Sequence, residues 1–167
     1  MNKAILPKVA KPIRYEVKLD IDLSNFEYTG FQDVELEIIK ETKSFEVNAI
    51  VIEIVTASLF NEDNEKFDLS FEYMKDLERI SFSSNKNISV GKYSLQLEFT
   101  STITNDLKGF YKSQFLDLND NVKWIATTQF EPTSARNAFP CWDEPEYKAV
   151  FSIALTSDEK YLRVSNE

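Results

Sequence analysis

Apolar side chains recur at every second position along most of this chain. Tyr15, Val17, Leu19, Ile21 and Leu23 alternate with Glu16, Lys18, Asp20 and Asp22. Val34, Leu36 and Ile38 alternate with Asp33, Glu35 and Glu37, and Ile50, Ile52 and Ile54 follow the same rule around Glu53. Phe67, Leu69, Phe71 and Tyr73 form another run, as do Tyr93, Leu95, Leu97 and Phe99 against Ser94, Gln96 and Glu98. Further strands are expected over Val122–Phe130 and Val150–Leu155, with a short one at Arg79–Ser83. Successive Cβ atoms of a strand point to opposite faces, so a period of two gives one dry face and one wet face. No window of helical length shows the period of an amphipathic helix.

The runs are separated by turn-formers: Thr29-Gly30, Asn61–Asn64, Ser84–Asn87, Val90-Gly91 and Asn119–Asn121. Gly, Asn, Asp and Ser tolerate or stabilise the backbone of tight turns. Many short strands with regular turn signals predict an all-β fold, a sandwich or an open, barrel-like pair of sheets. No linker, repeat or low-complexity tract divides the chain. Its 167 residues are read as a single domain, 1–167.

Composition removes whole classes of function. With 19 Lys+Arg against 28 Asp+Glu, the surface is too acidic to favour nucleic acid or an anionic membrane. No apolar stretch is long enough to span a bilayer, and no apolar leader core follows Met1. The chain has no His, which excludes Ser-His and Cys-His dyads and any His-containing zinc site. Its single Cys, Cys141, excludes an internal disulfide and fits a reducing, cytoplasmic setting. In that setting the sequon Asn87-Ile-Ser89 is expected to be idle. Three Gly leave no glycine-rich phosphate cradle.

Two acidic loops have oxygen-rich side chains of the kind that bind cations. Asn61-x-Asp63-x-Glu65, with Glu72 further on, has the spacing of a calcium loop. It carries Lys66 where the turn needs Gly, and an alternating run follows, so a hairpin loop is expected. Asp117, Asn119 and Asn121 fail in the same way.

The segment from Thr127 to Pro145 is of another kind. A β-run ends at Glu131-Pro132, because Pro cannot donate to a ladder. Thr133 to Ala138 is expected to form one or two helical turns. Phe139-Pro140-Cys141-Trp142-Asp143-Glu144-Pro145 then concentrates rings, prolines and acids in one short loop. Such loops serve either as structural corners or as rigid binding elements on a β scaffold. Arg136, Asp143 and Glu144 are read as an ion-pair brace, and Cys141 as a small buried apolar group with no base to activate it.

This segment resembles the N-terminal domain of the zinc aminopeptidases of the aminopeptidase N and puromycin-sensitive type. The matching string runs from Thr128-Gln129-Phe130-Glu131-Pro132-Thr133-Ser134-Ala135-Arg136 to Trp142-Asp143-Glu144-Pro145 and on into Lys148-Ala149-Val150-Phe151. Upstream, Gly109-Phe110-Tyr111-Lys112-Ser113 is similar to the family's Gly-Phe-Tyr-Arg-Ser. The opening Leu6-Pro7 and Pro12-Ile13-Arg14-Tyr15 is similar to its Leu-Pro and Pro-x-His-Tyr, with Arg14 where His is usual. The resemblance is dense after Leu95 and looser before it.

The resemblance implies a β-saddle of two mostly antiparallel sheets with one short helical turn, capping a thermolysin-like catalytic domain. The exopeptidase and zinc motifs of that domain lie beyond this chain, and the match at Tyr161–Glu167 ends before the family domain's last strands. It implies that Gln129 and Glu131 bind substrate. Glu131 would hold the free α-ammonium of a peptide N-terminus, and Gln129 would line the first side-chain pocket. A carboxylate is a charge-assisted acceptor for an ammonium, and a rigid loop fixes where it stands. No catalytic residue and no metal ligand is assigned to this chain. Zinc would belong to the full-length enzyme, and the chain alone is expected to be inactive. The partners implied are a peptide N-terminus and the catalytic domain. The glutamate-proline bond is expected to be cis, as the family often has it. Two other readings remain: a non-catalytic interaction module of the same superfamily, against which the intact Gln129 and Glu131 argue, and a stand-alone β-sandwich binding domain.

Overall fold

The structure is a computed structural model that describes residues 5–166. Met1 to Ala4 and Glu167 lie outside the described residues. The start of the chain, where no leader core was read, and the last residue of the carboxy-terminal match therefore fall there.

Ten strands and two single 3-10 turns account for the regular structure among the described residues. The strands are β1 (Ala10–Asp22), β2 (Glu27–Ile38), β3 (Thr42–Asn48), β4 (Ile52–Asn61) and β5 (Lys66–Met74), then β6 (Arg79–Ile88), β7 (Gly91–Thr102), β8 (Gly109–Leu116), β9 (Val122–Gln129) and β10 (Val150–Ser157). Eight form one sheet in the order β10-β1-β2-β7-β4-β5-β6-β3, and β8 and β9 form a separate two-stranded ribbon. The all-β expectation and its mostly antiparallel pairing hold. One pair is parallel: β1 takes β10 along its outer edge, Arg14 opposite Val150 through Ile21 opposite Ser157.

The large sheet curls at β5. Only Lys66–Asp68 of that strand pair with β4, whereas Leu69–Met74 pair with β6. The arms of the β4–β5 hairpin therefore splay, and the two halves of the sheet share one apolar core. Alternation becomes burial. Val34, Leu36 and Ile38 of β2, Leu95 and Leu97 of β7, and Ile80 and Phe82 of β6 are all 0 % exposed. Each such side chain contributes about 1.5–3 kcal/mol by leaving water. Phe45 of β3 packs on Phe82 of the neighbouring β6, ring centroids 5.6 Å apart, and on Trp142 of the loop beyond the second 3-10 turn at 6.2 Å.

Several boundaries differ from the sequence reading. Gly30 lies inside β2 rather than in a turn; a Cβ there would run into the Phe99 ring of β7, so the position is bare because a ring fills it. Ser84–Asn87 belongs to β6, where the register against β3 breaks between Ser83 and Ile88. Strands β3 and β8 were not anticipated. Neither was the 3-10 turn at Lys75–Leu77, which accompanies the one expected after Pro132, at Ala135–Asn137. The Asn61 loop is the predicted hairpin connection. Asn61 Oδ1 accepts from the Asp63 and Glu65 amides at 3.1 and 2.8 Å, closing the turn from within.

Candidate functional site

Strand β9 delivers the candidate residues. Gln129 is its last residue and Phe130 leaves the ladder. Alternation continues for two more positions. Phe130 turns inward onto Phe139, ring centroids 5.8 Å apart, while Gln129 and Glu131 stand exposed on the opposite side. Phe139 meets Tyr15 at 6.3 Å and Phe151 at 6.2 Å, and Tyr15 stacks on Phe151 at 4.6 Å. The site is thus carried on a ring cluster that ties β1, β10 and the loop together.

Gln129 and Glu131 are brought together. The Glu131 amide donates to Gln129 Oε1 at 3.1 Å. The Glu131-Pro132 peptide is cis. Ser134 donates its amide to Phe130 O at 2.7 Å, closing the chain back on itself beneath the pair. Among the described residues no cation pairs with the Glu131 carboxylate. The nearby guanidinium of Arg136 is committed elsewhere: Nε to Asp143 Oδ2 at 2.9 Å, a second nitrogen to Asp143 O at 3.1 Å, and a third to Glu78 Oε2 at 3.0 Å. The brace read from sequence is present with altered partners. Asp143 and Glu78 take Arg136, while Glu144 accepts from the Leu6 amide and fastens the amino-terminal segment.

The loop from Ala138 to Asp143 is pinned by polar groups that sequence reasoning missed. Tyr28 donates its hydroxyl to Ala138 O at 2.7 Å, and Gln32 donates Nε2 to Pro140 O at 2.9 Å. Asn48 and Cys141 exchange main-chain bonds of 2.8 and 3.0 Å. The Trp142 amide donates to the Tyr15 hydroxyl at 3.1 Å, and the Asp143 amide to Asn48 Oδ1 at 3.2 Å. A loop without a ladder must find such partners when buried. One signal was available: Gln32 occupies the apolar phase of β2, between Tyr28 and Val34. A polar side chain in a dry phase marks a hydrogen bond waiting across the core. Burial pushes the Tyr28 hydroxyl up to about 12 and the Tyr15 hydroxyl well above its usual range, so both stay protonated. Burial likewise holds Cys141 as a neutral thiol, aided by the nearby Asp143 carboxylate.

Gln129 and Glu131 lie outside a groove of about 1060 Å³, which opens where β4 and β5 splay. That groove is a product of the sheet's curl, and its strand edge is already used, since the Ile54 amide donates to the Tyr73 hydroxyl at 2.7 Å. Among the described residues no group of His, Cys, Asp and Glu is placed to hold a metal ion. No described helix is long and apolar enough to cross a membrane.

The family model described as the peptidase M1 N-terminal domain matches residues 11–167. The chain is 33% identical to aminopeptidase M1-A of Oryza sativa over 99% of its length, and 33% identical to the puromycin-sensitive aminopeptidase of Caenorhabditis elegans over 96%. It is 28% identical to human endoplasmic reticulum aminopeptidase 2 over 96%. These alignments cover 19%, 17% and 17% of the relatives, so the chain spans less than a fifth of their length.

Proposed function

The chain belongs to the peptidase M1 N-terminal domain family, and from that premise we propose that it is the substrate-anchoring domain of a zinc aminopeptidase. Glu131 holds the α-ammonium of a peptide N-terminus, and Gln129 borders the pocket for the first side chain. The observation that carries this reading is the pair itself. Gln129 spends its oxygen on the Glu131 amide at 3.1 Å, while the Glu131 carboxylate is exposed and has no cation partner among the described residues. An exposed carboxylate on a backbone held at its amide is a charge-assisted acceptor for an incoming ammonium. The chemistry of hydrolysis lies outside this chain, and the chain alone releases no amino acids.

A second feature supports a partner domain. The β8–β9 ribbon that ends in Gln129 exposes apolar side chains on both faces. Phe115, Leu116, Val122 and Ile125 are 50–61% exposed. A ribbon this bare calls for cover, and the catalytic part of the same enzyme is the cover we propose. For the compartment we propose the cytoplasm, in keeping with the lone reduced thiol of Cys141.

The test is Glu131→Gln in a polypeptide that joins this domain to a catalytic part, its own or that of a relative named above. Gln keeps the shape and removes the charge. A hydrogen bond to a charged group contributes about 1.5–3 kcal/mol, so kcat/KM for free-amine substrates should fall roughly 10–150-fold with KM raised and zinc content intact. Unchanged kinetics on folded protein would refute the anchor.

A further inference from the structure

We propose that Gly109 and Asn137 are positioning residues for the Gln129–Glu131 pair, Asn137 being a wedge against which the last rung of the β8–β9 ribbon is seated. The functional meaning rests on the anchor reading above. The geometry stands without it.

Gly109 lies directly across the ribbon from Gln129. Its φ is +67°, a conformation that glycine adopts at no steric cost. A Cβ at this position would fall onto Asn137 Cβ and come within 3.2 Å of the Asn137 carbonyl carbon. Asn137 has little room to yield. It is 8% exposed, its amide donates to Ser134 O at 3.1 Å, and its Nδ2 reaches the same oxygen at 3.4 Å.

These contacts close a ring around the site. Asn137 is bound to Ser134, and Ser134 to Phe130, the residue between the pair. Asn137 abuts Gly109, Gly109 faces Gln129, and Gln129 Oε1 accepts from the Glu131 amide. The base of β8 is held from the other side, where Phe110 packs edge-on against Tyr28 with centroids 5.3 Å apart. The ribbon end therefore has one seat. A side chain at position 109 would lift the last rung off the turn and move Gln129 relative to Glu131.

The first measurement uses this chain. In Gly109→Ala the Glu131 amide should exchange with solvent several-fold faster, and the Gln129 side-chain amide resonances should shift. Adding Asn137→Gly removes the Cβ that collides, so the double variant should return toward the parent. The second uses the catalytic polypeptide. Gly109→Ala should raise KM for free-amine substrates on the order of tenfold to a hundredfold, with a smaller change in kcat, intact zinc and rescue by Asn137→Gly. A folded Gly109→Ala whose Glu131 exchange and Gln129 resonances match the parent overturns the proposal. So does a double variant no closer to the parent than the single. If Gly109→Ala does not fold, Asn137→Gly alone decides: faster Glu131 exchange supports the wedge and unchanged exchange overturns it. If the anchor reading fails, Glu131→Gln kinetics are unchanged while the exchange results stand. If the wedge fails, the exchange results are flat while Glu131→Gln still impairs turnover.

Discussion

The curled sheet and the β8–β9 ribbon are both built of antiparallel strands rich in apolar residues, and they put those residues to different use. In β7, Tyr93, Leu95, Leu97 and Phe99 are all buried, with exposures of 0–7%. In β9, Val122, Trp124 and Ile125 are 40–56% exposed although they read as a strand equally well. The sheet has a second layer to fold onto, and the ribbon has none. Period two therefore reports a strand; whether its dry face is dry depends on what stands opposite. The ribbon is joined to the body by Phe110 on Tyr28, Gly109 on Asn137, Trp124 on Phe26 at 5.2 Å with the Lys112 ammonium 3.5 Å from the Phe26 ring centroid, and main-chain bonds of Thr104 to Phe110 and Lys112 at 3.3 and 2.8 Å.

The contrast can be broken most directly in the two apolar sets. Phe82→Ala in the sheet, at a position 0% exposed, should cost about 3–5 kcal/mol in urea unfolding. Ile125→Ala in the ribbon should fall within about 0.5 kcal/mol of the parent, as exposed substitutions do. Comparable losses would mean that the ribbon is as deeply packed as the sheet.

The pinned loop lies between these extremes, and Tyr28→Phe sharpens its place. That variant keeps the ring and leaves the buried Ala138 carbonyl without its 2.7 Å donor. It should cost about 1–3 kcal/mol, read as a lower urea midpoint with unchanged slope. No loss would show that the loop is held by its rings alone.

The smallest effect belongs to the ribbon tip. Asp117 accepts from the Asn119 and Asn121 amides at 2.8 and 3.0 Å, and these bonds, the Asn121 one first, hold its carboxyl below the usual 3.8. A lowered folded pKa stabilises the turn above the unfolded value and loses that contribution as pH falls through the folded one. The amides of Asn119 and Asn121 should therefore lose protection only below about pH 4. Asp117→Ala should remove that protection at every pH while leaving the sheet's exchange as it was. Loss of protection between pH 5 and 7 in the parent would contradict the assignment.

What was legible in the sequence follows the same division. The long alternating runs declared β1, β2, β5 and β7; in β2 and β7 the apolar phase is dry throughout, whereas in β5 it is dry only at Phe67, with Phe71 and Tyr73 38% and 40% exposed. Strand β3 offers only Phe45 and Val47 among polar residues, and β8 mixes its phases, so neither had a pattern to detect. Gly30 and Ser84 were read as turn-formers because composition does not say that a ring occupies the glycine's empty side or that a bulge lies beside the serine. At the site, Gln129 and Glu131 were found by resemblance and the Arg136 brace by charge. The pins Tyr15, Tyr28 and Asn48 were not found, because each is separated from its loop partner by most of the chain.

The parallel rung between β1 and β10 also governs when this domain can be finished. Arg14 must meet Val150, so the chain between them has to be synthesised and ordered before that edge closes. Loop-closure entropy rises only slowly with length, but native pairings this distant in sequence slow folding as a rule. Until residue 157 has left the ribosome, the outer edge of β1 offers unpaired amides and carbonyls to any neighbouring strand. A nascent domain stalled before β10 would thus be vulnerable to intermolecular pairing along β1, an edge that only the arrival of β10 covers.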